Sequence, residues 1–273
     1  MDPVRLAIAW NWPRPWAHTP AALRLATLPV FLGALVSTLG FLVPMLLISL
    51  SFRAEMETWG GLESQVETTD YQTMVVVTVV LRTLVLLWLA AGTTAAWCRH
   101  LALGQEIGWR SALRVDRSMI VILATFFVLA GLYLIVSVVL AGIAGMFALS
   151  GDILTDVVGA LLLGAFLPFA LALPLSVRDL RFSLRGAWRL ARPHWWRIAT
   201  VVAVGIAPGV LLYEALAWLW GDGLGMALGH GTPLLPHILW HGSIVAVGIV
   251  AILLCAAGVA CRLLNLLEKN SAS

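Results

Sequence analysis

The chain has 273 residues, of which 61% are apolar and 11% charged, against roughly 45–50% and about 25% in soluble domains. With 17 basic and 14 acidic side chains and a mean hydropathy of +0.95, it has too few charges to cover a water-facing surface, so most of its solvent must be lipid. That excludes a water-soluble enzyme, a disordered chain, a disulfide scaffold and a nucleic-acid binder, and leaves an all-α polytopic membrane bundle.

The chain opens with a lead, about residues 4–18, that carries Arg5, Arg14, Trp10, Trp12 and Trp16. The first apolar run begins only near residue 30 and is of full length, so the lead is expected to stay in the mature chain as a basic interfacial segment and not to act as a secretory leader. Six apolar runs then reach the ~20 helical residues that a ~30 Å hydrocarbon core demands. They are Val30–Phe52, Met74–Trp97, Met119–Leu149, Val157–Val177, Ile198–Trp220 and Ile238–Leu264. The runs are continuous and far exceed the 9–11 residues of a membrane strand, which argues against a barrel. The third is long enough to tilt or to project from the membrane.

Orientation follows from the cations. Fifteen of the 17 fall on one side: Arg5, Arg14 and Arg24 before the first run, four in connector 99–118, six in connector 178–197, and Arg262 and Lys269 at or after the end of the sixth run; Arg53 lies on the other side and Arg82 inside a span. Acidic residues show the opposite bias, with Glu55, Glu57, Glu63, Glu67, Asp70, Asp152, Asp156 and Asp222 on the poorly basic side. The positive-inside rule then places both termini in the cytoplasm; the preponderance of arginine over lysine fits a GC-rich bacterial genome, and the expected location is the bacterial cytoplasmic membrane. Tryptophans cluster at the expected interfaces, as in aromatic belts.

The connectors look alike. Arg110-Ser-Ala112-Leu-Arg114-Val-Asp-Arg117 and Arg185-Gly-Ala187-Trp-Arg189-Leu-Ala-Arg192 both read R-x-A-x-R-x-x-R, both precede an apolar run, and Arg14-Pro15-Trp16 loosely echoes Arg192-Pro193-His194-Trp195. This suggests three units, each a basic amphipathic cytoplasmic segment followed by a helical hairpin; convergence of Arg- and Ala-rich connectors is the alternative. In the last connector Arg178, Arg181, Arg185, Arg189 and Arg192 are spaced 3, 4, 4, 3, one stripe on a helix. Leu180, Leu184, Ala187, Trp188 and Ala191 make an apolar stripe beside it, and Pro193 is expected to end the helix. Such a helix would lie in the interface plane with its arginines on anionic headgroups, as a topogenic lipid-binding segment or as a docking surface for a partner.

Six spans with R-x-A-W-R-x-x-R and Trp195-Trp196-Arg197 resemble a loose group of bacterial six-span membrane proteins, among them the membrane domain that accompanies some glycerophosphodiester phosphodiesterases. The likeness covers the whole chain in architecture, with 178–197 as its motif-like stretch. It implies a membrane module and no catalytic residues, because that phosphodiesterase activity needs a separate barrel of roughly 250 residues, for which the spans leave no room.

Candidate chemistry is sparse. Cys98, Cys255 and Cys261 lie in or beside apolar runs and read as small apolar packers. His237 and His241 are four apart on one helix face, a spacing that metals or haem use, but no Glu stands between them and His230 is their only neighbouring histidine. The glycines from Gly221 to Gly231 lack the strand and Lys-Ser/Thr of a phosphate loop, and the acids from Glu55 to Asp70 lack an EF-hand arrangement. Gly205-x-x-x-Gly209 is a small-residue face for packing within the bundle or against a second copy. Pro44, Pro168, Pro174 and Pro208 interrupt spans, as in carriers. Arg82 and Glu214 are the ionisable groups well inside spans, ~12 Å and ~9 Å deep from the same face at 1.5 Å per residue. A lone charge at mid-bilayer costs ~2.5–3.5 kcal/mol on insertion scales, so the two are expected to pair between spans two and five.

No catalytic motif is present, and no cofactor is expected. The reading is a non-catalytic accessory, scaffold or assembly subunit whose basic segments (Arg110, Arg114 and Arg117; Arg178, Arg181, Arg185, Arg189 and Arg192) meet anionic lipid or a protein partner, with no role for nucleic acid. A carrier for a small solute or lipid, built on the Arg82/Glu214 level, and a metal- or haem-binding protein using His237 and His241 are the alternatives. Alkaline phosphatase fused after residue 273 should give no periplasmic activity, and a fusion within 55–70 should be active; the reverse pattern would invert the topology.

Overall fold

The computed structural model describes residues 19–58, 68–108, 110–146, 164–219 and 234–271. The long helices are α1 (Thr19–Thr58), α2 (Thr68–Leu103) and α3 (Arg117–Met146), then α6 (Trp195–Trp218) and α7 (Leu234–Ser271). Between α3 and α6 stand two short helices, α4 (Ala172–Asp179) and α5 (Leu184–Ala191). Single 3₁₀ turns occupy Ser111–Leu113, Leu167–Leu171 and Arg192–His194. Among the described residues all regular structure is helical, as lipid requires, since a helix satisfies its own backbone groups. Five stretches are long and apolar enough to cross a membrane: Pro20–Gly40, Val76–Leu103, Arg117–Leu140, Leu184–Trp218 and Ser243–Lys269.

Five threonine hydroxyls of these helices are satisfied locally, whereas those of Ser37, Thr94 and Ser137 are buried without a hydrogen-bond partner among the described residues. Thr27, Thr83, Thr93, Thr125 and Thr200 each donate to the carbonyl four residues back, at 2.7–2.9 Å. Large apolar side chains such as Phe31, Leu81, Ile135 and Leu211 face outward. The interior combines large side chains, Leu25, Met119, Ile122, Leu171 and Ile198 among them, with many small residues: Ala91, Ala95, Ala96, Thr93 and Thr94 of α2, Ser37 and Thr38 of α1, and Ala246, Ala257 and Ala260 of α7. The small residues suit a bilayer, where apolar burial gives little drive to associate and close backbone approach supplies packing.

Helix α7 is the hub. It packs against α1, α2, α4 and α6. Half of its most apolar window is inside the bundle, against 17–28% for the other four stretches. The Gly205-x-x-x-Gly209 face turns inward onto it. Both glycines are buried, and a Cβ on Gly209 would stand 2.9 Å from the backbone N and Cα of Ile252. One turn further on, Tyr213 covers Gly248 of α7.

The structure refines four expectations. Helix α1 starts at Thr19 and not near residue 30, because the moderately apolar turns from Ala21 to Pro29 continue the helix and Arg24 stays exposed on it. The fourth run does not read as one span over its described part. Residues 164–166, the 3₁₀ turn from Leu167 and α4 succeed one another there, since Pro168 and Pro174 each remove a backbone donor; residues 147–163 lie outside the described part, so the described residues hold five helices of membrane length and much of the expected fourth span lies outside them. Pro44 and Pro208, by contrast, sit within unbroken helices. The arginine stripe is not carried by one helix either: α4 ends at Asp179, and Leu180 adopts a left-handed φ of 51°, which separates Arg178 from Arg181 in the turn and from Arg185, Arg189 and Arg192 on and beside α5. Finally, α5 ends at Ala191, two residues before Pro193, and Pro193 also leads into α6 through the Arg192–His194 turn, because its fixed φ suits a first helical turn.

Gly209→Ala should lower the melting temperature in detergent, because the backbone that its Cβ meets cannot rotate away. Gly131→Ala in α3 has nothing within 4 Å and should be neutral or slightly stabilising, Ala being favoured over Gly by ~1 kcal/mol in a helix. Equal effects of the two would contradict the α6–α7 contact.

Candidate docking surface at the arginine-rich end

The C-terminal ends of α2, α4 and α7 and the N-terminal ends of α3 and α6 gather at one end of the bundle, with α5 among them. There α2 ends conventionally: Gly104 at φ +67° takes the left-handed position, and its N–H donates to the His100 carbonyl at 3.1 Å. The chain then turns sharply, and the Ala112 carbonyl lies so close to Gly92 that a Cβ there would be 1.8 Å from it. Connector 99–118 is therefore a compact cap on α2 and not the amphipathic segment expected.

A buried polar network fixes this cap. Asp116 precedes α3, and its Oδ1 accepts from the Met119 N–H at 2.9 Å and the Ser118 hydroxyl at 2.6 Å. The same carboxylate forms an ion pair with Arg99 of α2, whose guanidinium also donates to Ser118 Oγ at 3.2 Å. Arg99 is 8% exposed, so the pair acts where solvent screens it weakly. Sequence reasoning missed it. An aspartate directly before an apolar run is an N-cap signal, but its partner lies 17 residues back on another helix.

The second connector folds differently. Helix α5 buries Ala187 and Ala191 completely against the Leu167–Leu171 turn and α4. The alanines of its apolar stripe thus rest on protein, where lipid was expected, while Leu180 and Trp188 of the same stripe stay exposed. Phe169, Trp188 and Trp195 form an aromatic triad, with Trp188 and Trp195 edge-on at 4.9 Å and Phe169 stacked on Trp188 at 6.0 Å. The Ser183 N–H donates to Ser176 Oγ at 3.3 Å, closing the turn between α4 and α5. In both R-x-A-x-R-x-x-R stretches the alanine, Ala112 or Ala187, is fully buried while the three arginines are exposed; the local structure is a 3₁₀ turn in one and an α-helix in the other. The loosely related lead 4–18 lies outside the described residues.

Arg110, Arg114, Arg117, Arg181, Arg185, Arg189 and Arg192 are all exposed at this end. Arg178 is also exposed but is engaged, in ion pairs with Asp179 and with Glu268 of α7. These carboxylates hold its pKa above the ordinary guanidinium value. Arg82 is half-buried, its stem against Gly40 of α1, and Glu214 is exposed on α6. Helix α2 takes α1, α3 and α7 as long neighbours and α6 takes α7; the ion pairs between described residues include those of Arg99 and Arg178, and an Arg82–Glu214 bridge is not one of them. His237 and His241 fall in the first turns of α7; His230 lies outside the described residues, among which no three His, Cys, Asp or Glu side chains cluster as a metal site. Cys98 and Cys261 are buried in one apolar cluster, and all three cysteines are free thiols.

Compared with known proteins, the chain matches no family model, no curated protein and no solved structure. The class defined by its helices is a multi-pass helical membrane protein, and its function is argued from this geometry.

Asp116→Ala should destabilise more than Asp116→Asn by about 1 kcal/mol, because Asn still caps α3. Arg99→Met with Asp116→Asn should cost less than the sum of the single changes, since either alone strands a buried charge. Strictly additive losses, measured by thermal unfolding, would show the two side chains to be uncoupled.

Proposed function

We propose that the protein is a non-catalytic accessory, scaffold or assembly subunit of a bacterial cytoplasmic membrane, docked through the arginines at the cytoplasmic end of its bundle. The observation that carries this reading is the exposed set Arg181, Arg185, Arg189 and Arg192 on and beside a helix whose alanines, Ala187 and Ala191, are buried in one cluster with Leu171, Ala172 and Leu175. A helix needed merely to lie on lipid would keep that face for the bilayer. Here it is spent on fixing α5 to the bundle, and the guanidiniums are presented from a rigid base. They suit anionic headgroups or the acidic surface of a partner, and the second arginine group, Arg110, Arg114 and Arg117, extends the same charged end. Arginines near an anionic leaflet contribute ~1 kcal/mol each.

The test is purification in mild detergent of the wild type and of a variant with Arg185, Arg189 and Arg192 changed to Gln. A stoichiometric membrane partner that accompanies the wild type and is lost from the variant, or released by salt, is the expected result. An unaltered melting temperature in the variant would show that the loss is one of docking. Retention of the partner by the variant, or a wild type that runs alone, would refute the subunit role.

A further inference from the structure

The small side chains buried where α2 meets α7 are alanines with one exception on each helix. On α2 they are Ala91, Ala95 and Cys98, spaced four and three; on α7 they are Ala257 and Cys261, spaced four, and each set keeps to one helix face. Gly258 sets the level at which the helices meet. A Cβ there would stand 3.4 Å from Nε1 of Trp97 and 3.9 Å from Cδ1 of Leu101. The turn from Ala257 to Cys261 therefore lies on the turn from Trp97 to Leu101. The Cys98 thiol is hydrogen-bonded to that of Cys261, so the two positions that are not alanine are the two that touch. They are 0% and 2% exposed, out of reach of both water and lipid.

Thiols that meet from separate helices can be joined as a disulfide or bridged by a metal. The arginine-rich end, which the positive-inside rule places in the cytoplasm, is where thiols stay reduced. The surroundings favour a metal of a particular kind. Leu25, Ile122 and Leu173 share the cluster, and Met119 of α3, buried with them, adds a thioether. Met119 is anchored close by: its N–H donates to Asp116, whose carboxylate pairs with Arg99, the residue after Cys98. Thiolate and thioether sulfurs select Cu(I) and similar soft ions. Zinc needs four ligands and would bring a second positive charge into an apolar interior, where unpaired charge is costly. A monovalent ion that replaces one thiol proton leaves the net charge of the cluster unchanged. The way in is short, since Cys98 stands five residues before the end of α2 at Leu103, ~8 Å at 1.5 Å per residue.

We propose that Cys98 and Cys261 form a binding site for one monovalent soft metal ion of the Cu(I) class, held between the two sulfurs with the Met119 thioether beside it. On binding, one S–H bond breaks, its proton leaves to solvent, and two metal–sulfur bonds form; no electron is transferred. The ion joins α2 to α7 inside the bundle, and the site shares no residue with the arginine surface of α5.

Silver(I), a soft monovalent ion that is not oxidised by air, is the probe. The full chain in mild detergent is loaded with silver, washed with excess free methionine and weighed by native mass spectrometry. The wild type and Cys255→Ser should each keep one silver in exchange for one proton, and should melt at a higher temperature with silver than without it. Cys98→Ala with Cys261→Ala should keep at least about tenfold less and show no such rise; alanine already fills the neighbouring positions of this contact, so the variant should fold. Zinc offered alone should not be retained. Failure of the wild type or of Cys255→Ser to hold silver against methionine, equal retention by the double variant, or retention of zinc would overturn the proposal. So would a loss of two hydrogens with a covalent α2–α7 link in place of the metal. The wild type and Cys255→Ser decide the matter should the double variant not fold.

Discussion

Lipid gives apolar helices no reason to leave it, and that constraint organises this molecule. Leu and Phe are as well solvated by acyl chains as by each other, so association depends on surfaces that approach closely enough for dispersion and backbone contact. The interior accordingly sets alanine, glycine, serine and threonine among a smaller set of buried large side chains such as Met119, Ile122 and Ile198, while many other bulky side chains point out. Helix α7 meets this demand on several sides at once. Gly248 receives Tyr213 of α6, Ala246 lies against Gly33 of α1, and Gly258 admits Trp97 of α2.

At the arginine-rich end the constraint changes, because interfacial water and headgroups reward charge. Both connectors bury one alanine and expose three arginines, yet by different routes. In 110–117 the polar network of Arg99, Asp116 and Ser118 anchors the turn to α2. In 185–192 the anchor is apolar and aromatic, through Ala187, Ala191, Trp188 and Phe169. The shared sequence pattern therefore encodes a burial pattern and an exposed charge, and leaves the backbone to be set by its neighbours.

Composition and run length were enough to read an all-helical membrane protein, because a 20-residue apolar run has few other uses. The inward Gly205–Gly209 face was legible for the same reason: small residues four apart have one purpose in a membrane helix. Three features were not legible, for different reasons. Periodicity placed Arg178 to Arg192 on one stripe but contains no term for a left-handed residue at Leu180, a position where glycine would be expected. The apolar stripe of α5 pointed to a covering, but whether lipid or the Leu167–Leu171 turn provides it depends on tertiary contact. The pairing of charges was sought where burial made it costly, at Arg82 and Glu214, whereas the network that forms joins Arg99 to a capping aspartate that looked like an ordinary member of a basic loop.

The central place of α7 bears on biogenesis. It is translated after every helix that packs on it, so α1, α2 and α6 must enter the bilayer before the surface they share exists. Until then Ser37 and Thr94, buried in the finished bundle, face lipid or one another, and the early helices are held near each other mainly by the α1–α2 contact. Assembly is thus post-insertional, completed when the last helix slides into a waiting, loosely joined group. The time between the release of α2 and the arrival of α7 is the interval in which a membrane chaperone or a quality-control protease would meet the chain.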